Sequence, residues 1–325
     1  MDTNNKTAFI STNTEEEKEK IMENVGITFD EIYCRGSSLV EWTYVQPHLP
    51  NVRENYYKYS GFAGKLWFRM KMSMARAKNK IDTYYTMKAL APEYLLNRDP
   101  ANQQLRASMA HLHIAPMPML TDRLTRVYAI KFVDREFSPH MLTDWNKYVL
   151  MLGDVQQWDD LSLAEEVVVD MANLTLKQVV VLTPPVVKKL VKCYLDVLLF
   201  KPLSMHFVNA PSFAEAVFTL VKSLLKPKIA DRIFVHTEKG YEKLHEHISP
   251  KYLPKDFDGE GPELKDMHNA WLQKIDSYRE WFLENDSYVV REELRQGTPI
   301  SYSDVFGMKV PATTDSMTSH GESER

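Results

Sequence analysis

The chain has 325 residues, with 40 lysines and arginines against 44 aspartates and glutamates and a formal net charge of −4. That length suits one large domain plus a smaller one and a core that needs neither disulfides nor metal, and the charge balance argues against a general nucleic-acid binder, whose affinity comes from neutralised phosphates. Two cysteines, Cys34 and Cys193, are too few for a disulfide framework or a zinc cage, the first 30 residues hold no apolar signal-peptide core, and no run of 18 apolar residues occurs, so a cytoplasmic protein is expected.

The Asn/Thr-rich stretch Met1 to Asn13 and the Ser/Thr/charge-rich stretch Pro311 to Arg325 have little to bury, and both are expected to be disordered. From Glu15 to about Asn97 the pattern is helical. Glu15, Glu16 and Glu17 open one segment, Met72, Arg76, Ile81, Tyr84, Tyr85 and Met87 belong to a longer one, and Pro47 and Pro50 break the region into short helices. Beyond Pro100 the period changes. Val127–Val133, Val167–Met171, Ser204–Asn209 and Arg232–His236 are short β-rich runs, separated by helix-like segments at about Pro139–Leu152, Thr175–Leu199 and Pro211–Leu225. Alternation of this kind predicts an α/β fold with a largely parallel sheet flanked by helices. Glu238–His247 reads as a further helix, and Pro262–Glu284 as another with Leu264, Met267, Trp271, Ile275, Tyr278 and Phe282 on one stripe.

The usual catalytic spacings do not occur: there is no G-x-S-x-G elbow, phosphate-binding G-x-x-x-x-G-K-[ST] loop, H-E-x-x-H pair or C-x-x-C. His111-Leu112-His113 and His245-Glu246-His247 place histidines at i, i+2, which on a helix point about 200° apart and do not close on one metal. Only 11 glycines are present, none clustered after a strand, which removes the backbone cradle a nucleotide normally needs. No metal, cofactor or enzymatic activity is therefore expected.

The informative segment runs from Val186 to Arg232, where eight lysines and arginines face three acids in a chain that is acidic as a whole. Inside it lies an apolar helix with Phe213, Val217, Leu220, Val221 and Leu224 at offsets 0, 4, 7, 8 and 11, widened by Phe218 and Leu225, and with Lys222 and Lys226 on its polar face. Periodicity leaves two readings open: a helix that covers the sheet with solvated lysines, or a movable lid over an apolar cavity beside an anionic headgroup site.

Phe207-Val-Asn-Ala-Pro211, the helix after it, Lys228-Ile-Ala-Asp-Arg-Ile-Phe-Val-His236 and Leu253-Pro-Lys-Asp-Phe-Asp-Gly-Glu-Gly-Pro262 follow one another in the order found in the CRAL-TRIO lipid-binding family. This chain resembles that family over about Phe29 to Glu293, in particular its branch of alpha-tocopherol transfer protein-like and clavesin-like members. Trp42-Thr-Tyr-Val-Gln-Pro-His-Leu-Pro50 and Pro92-Glu-Tyr-Leu-Leu-Asn-Arg-Asp-Pro100 add to the resemblance, and Glu166-Val-Val-Val-Asp170 fits the family's second-strand region. Asp258 stands where the first glycine of the LP signature is usual, and Asn173 where a glycine follows the strand aspartate. Leu66-Trp67-Phe68 leaves Arg69 one residue from the expected basic position, and Leu199 replaces an expected proline, with Pro202 three residues later. Asp tolerates positive φ, so the fold is expected to survive.

Together with the disordered N-terminus at 1–13 and a mostly disordered extension at 294–325, the resemblance implies a helical domain at 14–100 and a lipid-binding domain with a mobile gate helix at 101–293. It implies a monomeric, non-catalytic carrier of a hydrophobic ligand (a tocopherol, retinoid, carotenoid or phospholipid) that associates transiently with phosphoinositide-containing membranes. Phe213, Val217, Phe218, Leu220, Val221 and Leu224 would form the gate, and Lys201, Lys222, Lys228, Arg232 and Arg69 the phosphoinositide contact. The alternative within the family is a trafficking adaptor of the clavesin kind, which reads phosphoinositides without obligatory cargo.

Overall fold

The computed structural model describes residues 13–44, 46–49, 64–157, 160–237 and 240–309. Helix α1 (Glu15–Val25) opens on a reciprocal cap, in which Glu17 N–H donates to Thr14 Oγ1 at 3.1 Å and Thr14 N–H to Glu17 Oε2 at 2.9 Å. Its three leading glutamates sit where the helix dipole favours them. Helix α2 (Phe29–Tyr44), a helical segment at 64–69 and helix α3 (Met74–Leu90) follow. Met72 falls in the turn before α3 rather than in it, because Lys71 and Met72 both take positive φ, 56° and 55°, and Ser73 then caps the helix by accepting from Arg76 N–H. Ile21, Leu39, Leu66, Trp67 and Ala77 close on one another and on Leu120, Leu161 and Leu199 of the following region. Of the N-terminal stretch expected to be disordered, residues 1–12 lie outside the described residues. Asn13 is buried and accepts Leu161 N–H at 2.6 Å, so it belongs to the fold.

The central sheet has five strands in the order β1 (Leu112–Pro116), β2 (Thr125–Phe132), β3 (Ala164–Asp170), β4 (Pro202–Val208) and β5 (Ile233–His236). β1 is antiparallel to β2 and all other pairs are parallel. The α/β class with a mostly parallel sheet is thus the one the strand–helix alternation predicts. β1 is an addition, and it makes the Glu166–Asp170 segment part of the third strand rather than the second. One sheet face presents Tyr128, Ile130, Val167, Val169, Met205 and Phe207, the other Val127, Ala129, Val168 and Val208, as the two-residue strand period requires. The second face packs on Leu244, Met267 and Trp271.

The covering helices are α4 (Pro139–Gln156), α5 (Pro184–Asp196), α6 (Glu215–Leu224) and α7 (Leu264–Asp276). The single helix expected over Thr175–Leu199 is two, Leu176–Val180 and α5. Pro184 and Pro185 lack the N–H groups that would continue the first, and they open the second, where those donors have no intrahelical partner. The segment Pro262–Glu284 divides into α7 and Arg279–Asp286, and its stripe holds across the break: Leu264, Met267, Trp271, Ile275 and Phe282 are all at most 1% exposed. The helix expected at Glu238–His247 spans Gly240–His245, Glu238 lying outside the described residues.

Two joints hold the helical region to the sheet. Arg98, in the P-E-x-x-x-N-R-D-P segment, is fully buried. It donates to Asp154 Oδ2 at 2.6 Å and to Tyr84 Oη and Asn285 Oδ1, each at 3.2 Å, so one guanidinium joins α3, α4 and the Arg279–Asp286 helix. At the other end, the extension expected to be mostly disordered folds over residues 294–309. Arg295 donates to both carboxylate oxygens of Asp82, and Phe306, in the helix Tyr302–Phe306, is fully buried beside Leu190 and Cys193 of α5. Residues 310–325 lie outside the described residues.

Candidate functional site

A cavity of about 300 Å³ lies between the first sheet face and helices α4 and α5. Ile130, Val167, Val169, Met205 and Phe207 form its floor, and Val149 and Leu152 of α4 with Leu198 and Leu199 after α5 form its roof. Gly153 belongs to the same wall, where an added Cβ would stand 2.4 Å from Leu198 Cδ2, so glycine lets the segment after α5 approach α4 closely.

One end of the cavity is polar. Arg69 lines it with its side chain only 7% exposed, ion-paired to Glu165 and donating to the carbonyls of Ser162 and Leu199. Burial pushes the Glu165 carboxyl up, against the pull of Arg69 and of Lys201 N–H, which donates to it at 2.6 Å. Asp160 is in the opposite condition. Burial alone would raise its pKa, but the paired Arg126 guanidinium, at 3.1 and 3.2 Å, holds the carboxyl well below the usual range. Gln156, from the last turn of α4, donates from Nε2 to Asp160 Oδ2 at 2.8 Å.

The structure brings three of the five predicted headgroup residues together. Burial lowers the pKa of Lys201, as do the positive charges of Arg69, Lys71 and Arg232 against the opposing charge of Glu165, so these groups share one region at the start of β4. Within it, Lys201 Nζ donates to Leu163 O at 3.0 Å and Arg232 to Pro202 O. Arg69 faces the cavity interior, whereas the resemblance placed it on an external headgroup. Lys222 and Lys228 are exposed, and no ion pair joins them to an acid among the described residues.

None of the six predicted gate residues lines the cavity. Phe218 is the buried residue of α6, packed with Val169, Met171, Ala214 and Ile233 on the same sheet face. Val217, Leu220, Val221 and Leu224 are half-buried, and Phe213, in a short 3₁₀ turn before α6, is 38% exposed. α6 therefore closes the sheet immediately beyond the cavity floor, with part of its apolar stripe open to solvent. The cavity-lining residues escaped the sequence reading because they come from separate elements with no common spacing. The only local signal was a glycine inside a helical pattern at 153.

Of the two histidine pairs, His113 is on β1 and His111 just before it, so the helical geometry used to exclude a metal there does not apply. His111 Nδ1 pairs with Asp134 at 2.9 Å, and the His113 ring lies 5.1 Å from that of His268. His245 Nε2 donates to Phe257 O at 3.0 Å. Among the described residues no group of three or more His, Cys, Asp or Glu is placed to hold a metal ion, and no helix is long and apolar enough to cross a membrane.

The signature segments have clear structural roles. Asn209 takes φ 53° and donates to Asp170 Oδ1 at 2.9 Å, and Asp170 also accepts from Tyr241 Oη at 2.7 Å. Asp258 occupies the left-handed region at φ 52° in place of glycine, while at Gly259 a Cβ would fall 2.2 Å from Leu253 O.

Comparison with known proteins places these features. Residues 149–259 match the family model for the CRAL/TRIO domain. The chain is 35% identical to Clavesin-1 of Rattus norvegicus over 108 residues, 33% of this chain and 30% of that one. It is 30% identical to Clavesin-2 of Homo sapiens over 139 residues, 41% of this chain and 42% of that one. The match thus spans well under half of the length of either relative. The crystal structure of Sfh5 superposes with a TM-score of 0.42 and 12% identity, covering 84% of this chain and 99% of that one, a likeness too loose to carry the assignment. The domain match and the ordered signature segments agree: residues 149–259 are similar to the CRAL/TRIO domain, and part of the chain is similar in sequence to the clavesins.

Proposed function

We propose that this protein is a non-catalytic carrier of a single hydrophobic ligand, which it shields in the cavity between the sheet and helices α4 and α5 and exchanges at a membrane carrying phosphoinositides. The observation that carries the proposal is the cavity itself, about 300 Å³ walled mainly by aliphatic and aromatic side chains. Protein interiors are otherwise packed to crystal density, so a space of this size is built for a guest. Each methylene moved out of water is worth about 0.8 kcal/mol, so about a dozen supply on the order of 10 kcal/mol. Retention is easy on that scale, and release needs a second apolar environment.

Helix α6 suits that step. It rests on the sheet beside the cavity with its stripe only half covered, so acyl chains can replace the contacts it gives up on moving. The exposed Lys222 and Lys228 and the patch of Arg232 and Lys201 would meet an anionic surface, each cation contributing about 1 kcal/mol.

The similarity to clavesins favours a second reading, a phosphoinositide-reading trafficking adaptor without obligatory cargo. Lipid extraction from protein purified out of cells separates the two: stoichiometric lipid supports the carrier, and its absence supports the adaptor. Docking is tested by co-sedimentation with vesicles containing phosphatidylinositol bisphosphate. Lys228→Ala with Arg232→Ala is expected to bind them much less than the unaltered protein, and equal binding would remove the docking step.

A further inference from the structure

We propose that the segment from Arg295 to Met308 is a strap that clamps the roof of the cavity and slows exchange of its guest; the inference rests on the carrier reading and adds a regulator to it. The strap is fixed at both ends. At its start, Arg295, with its side chain only 8% exposed, donates to the two carboxylate oxygens of Asp82 at 2.7 and 2.9 Å and to Thr86 Oγ1 at 2.9 Å, all on α3. Glu292 accepts from the same guanidinium and from Ile300 N–H at 2.9 Å, which folds the segment back on itself. At its far end, Ser301 caps the helix Tyr302–Phe306 by accepting from Asp304 N–H, and Phe306 is fully buried.

Under the strap lies α5. Phe306 packs with Leu190 and Cys193, and Lys189 Nζ, paired with Glu93, stands 5.1 Å from the Tyr302 ring and 5.5 Å from the Phe306 ring. The same apolar cluster contains Tyr194 and Leu198, and both line the cavity. α5 and the segment after it therefore meet the strap on one side and the guest on another. α5 also packs against α6, so the strap braces the helix proposed to move as well as the roof.

The two halves of the roof are held differently. α4 is tied down by the buried Arg98, which joins its Asp154 to α3 and to the Arg279–Asp286 helix. α5 is held from outside by the few side chains of a peripheral segment, and such segments open locally while the rest of the fold stays intact. Lifting α5 requires Phe306 to leave its site between Leu190 and Cys193, so the strap sets how readily the roof yields.

The test loads the full-length protein with radiolabelled dodecanol and follows its loss to phosphatidylcholine vesicles, alongside amide hydrogen exchange resolved by segment. Phe306→Ala is expected to release dodecanol about tenfold faster or more than the unaltered protein, with faster amide exchange across α5 and unchanged exchange in β2 and β3. Tyr302→Ala, which removes a half-buried ring beside Lys189, should move both readouts the same way to a smaller extent, and it decides the matter should Phe306→Ala fail to fold. Release at equal rates from the variants and the unaltered protein would overturn the strap and leave the carrier reading standing. Faster release with equally faster exchange throughout the sheet, the mark of general destabilisation, would do the same. No uptake of dodecanol by the unaltered protein would overturn both.

Discussion

Phe207 and Phe218 meet edge to face, with ring centroids 4.7 Å apart and planes at 62°. Phe207 belongs to the cavity floor and Phe218 is the buried anchor of α6, so this contact ties the wall around the cargo to the helix proposed to release it. Phe218→Ala is expected to lower stability by about 3 kcal/mol in urea denaturation and to speed lipid loss to acceptor vesicles. Phe213, 38% exposed, should behave differently: Phe213→Ser should change stability by no more than about 0.5 kcal/mol but slow exchange, because an apolar group that enters the membrane has been removed. Faster exchange in both variants would argue against α6 as the moving part.

The Arg69–Glu165 pair is buried on both sides, with side chains 7% and 8% exposed. Removing one partner leaves an uncompensated group, so Arg69→Met should cost about 3–5 kcal/mol. Glu165→Gln in the same chain should recover most of that loss, which a double-mutant cycle in urea would measure. If Arg69 served a phosphoinositide headgroup instead, the second substitution would restore nothing, and vesicle binding rather than stability would fall.

How much of this was legible in the sequence depends on whether a residue's role is set by its own element. The stripe from Leu264 to Phe282 and the β-rich runs around Val127, Val167, Ser204 and Ile233 are periodic within themselves, and the elements follow. Leu112–Pro116 was missed because five residues containing a histidine and ending in proline show no alternation. Its identity as a strand comes from pairing with β2. Asp258 at φ 52° matched the expectation that aspartate tolerates the left-handed region. Arg69 shows the opposite limit. One position of offset along a helix rotates a side chain by about 100°, and the partner Arg69 meets, Glu165, lies 96 residues away, beyond the reach of any local pattern. The cavity, drawn from five elements or more, had no linear signature at all.

The second sheet face carries a ring cluster in which His206 stacks on Phe234 at 4.8 Å and donates to or accepts from His236 Nε2 at 3.1 Å, with His247 4.9 Å from His206. Burial first, then His247, His236 and Arg123, push His206 down to about 3, and burial likewise lowers His236, with Lys243 adding to it and Glu246 opposing it. Such histidines are neutral in the fold and protonated in the unfolded chain below about pH 6.5. Stability is therefore complete above that pH and falls as the pH drops from there toward the folded values. The slope is up to about 1.4 kcal/mol per pH unit for each histidine. His206→Gln should flatten the difference in urea midpoint between neutral and mildly acidic pH, and an unchanged slope would show that this ring does not control it.

Lys222 and Lys228 differ from Lys201 and Arg232, whose charged ends already donate to Leu163 O and Pro202 O. Exposed cations near an anionic surface act through long-range attraction that salt screens. Lys222→Ala with Lys228→Ala should therefore weaken binding to phosphoinositide vesicles about tenfold or more at low salt and remove most of its salt dependence. Lys201→Ala should reduce binding less. Sedimentation at two ionic strengths separates these outcomes, and a salt slope unaltered in the double variant would shift the docking surface away from α6.

Gly153 sets how closely the segment after α5 approaches α4, and it gives control over cavity length. A methyl group at this position would stand 2.4 Å from Leu198 Cδ2, the far end of a flexible side chain that also lines the cavity, so Leu198 must swing aside. The folded state gains up to about 1 kcal/mol of helix propensity from Gly153→Ala and loses about 1–3 kcal/mol to crowding, leaving a modest net change. The guest has less room. Across a series of linear alcohols, the chain length bound most tightly should become shorter by one or two carbons, and Leu198→Ala in the same chain should restore it. An unchanged optimum would mean that the space beside Gly153 does not hold the ligand's tail.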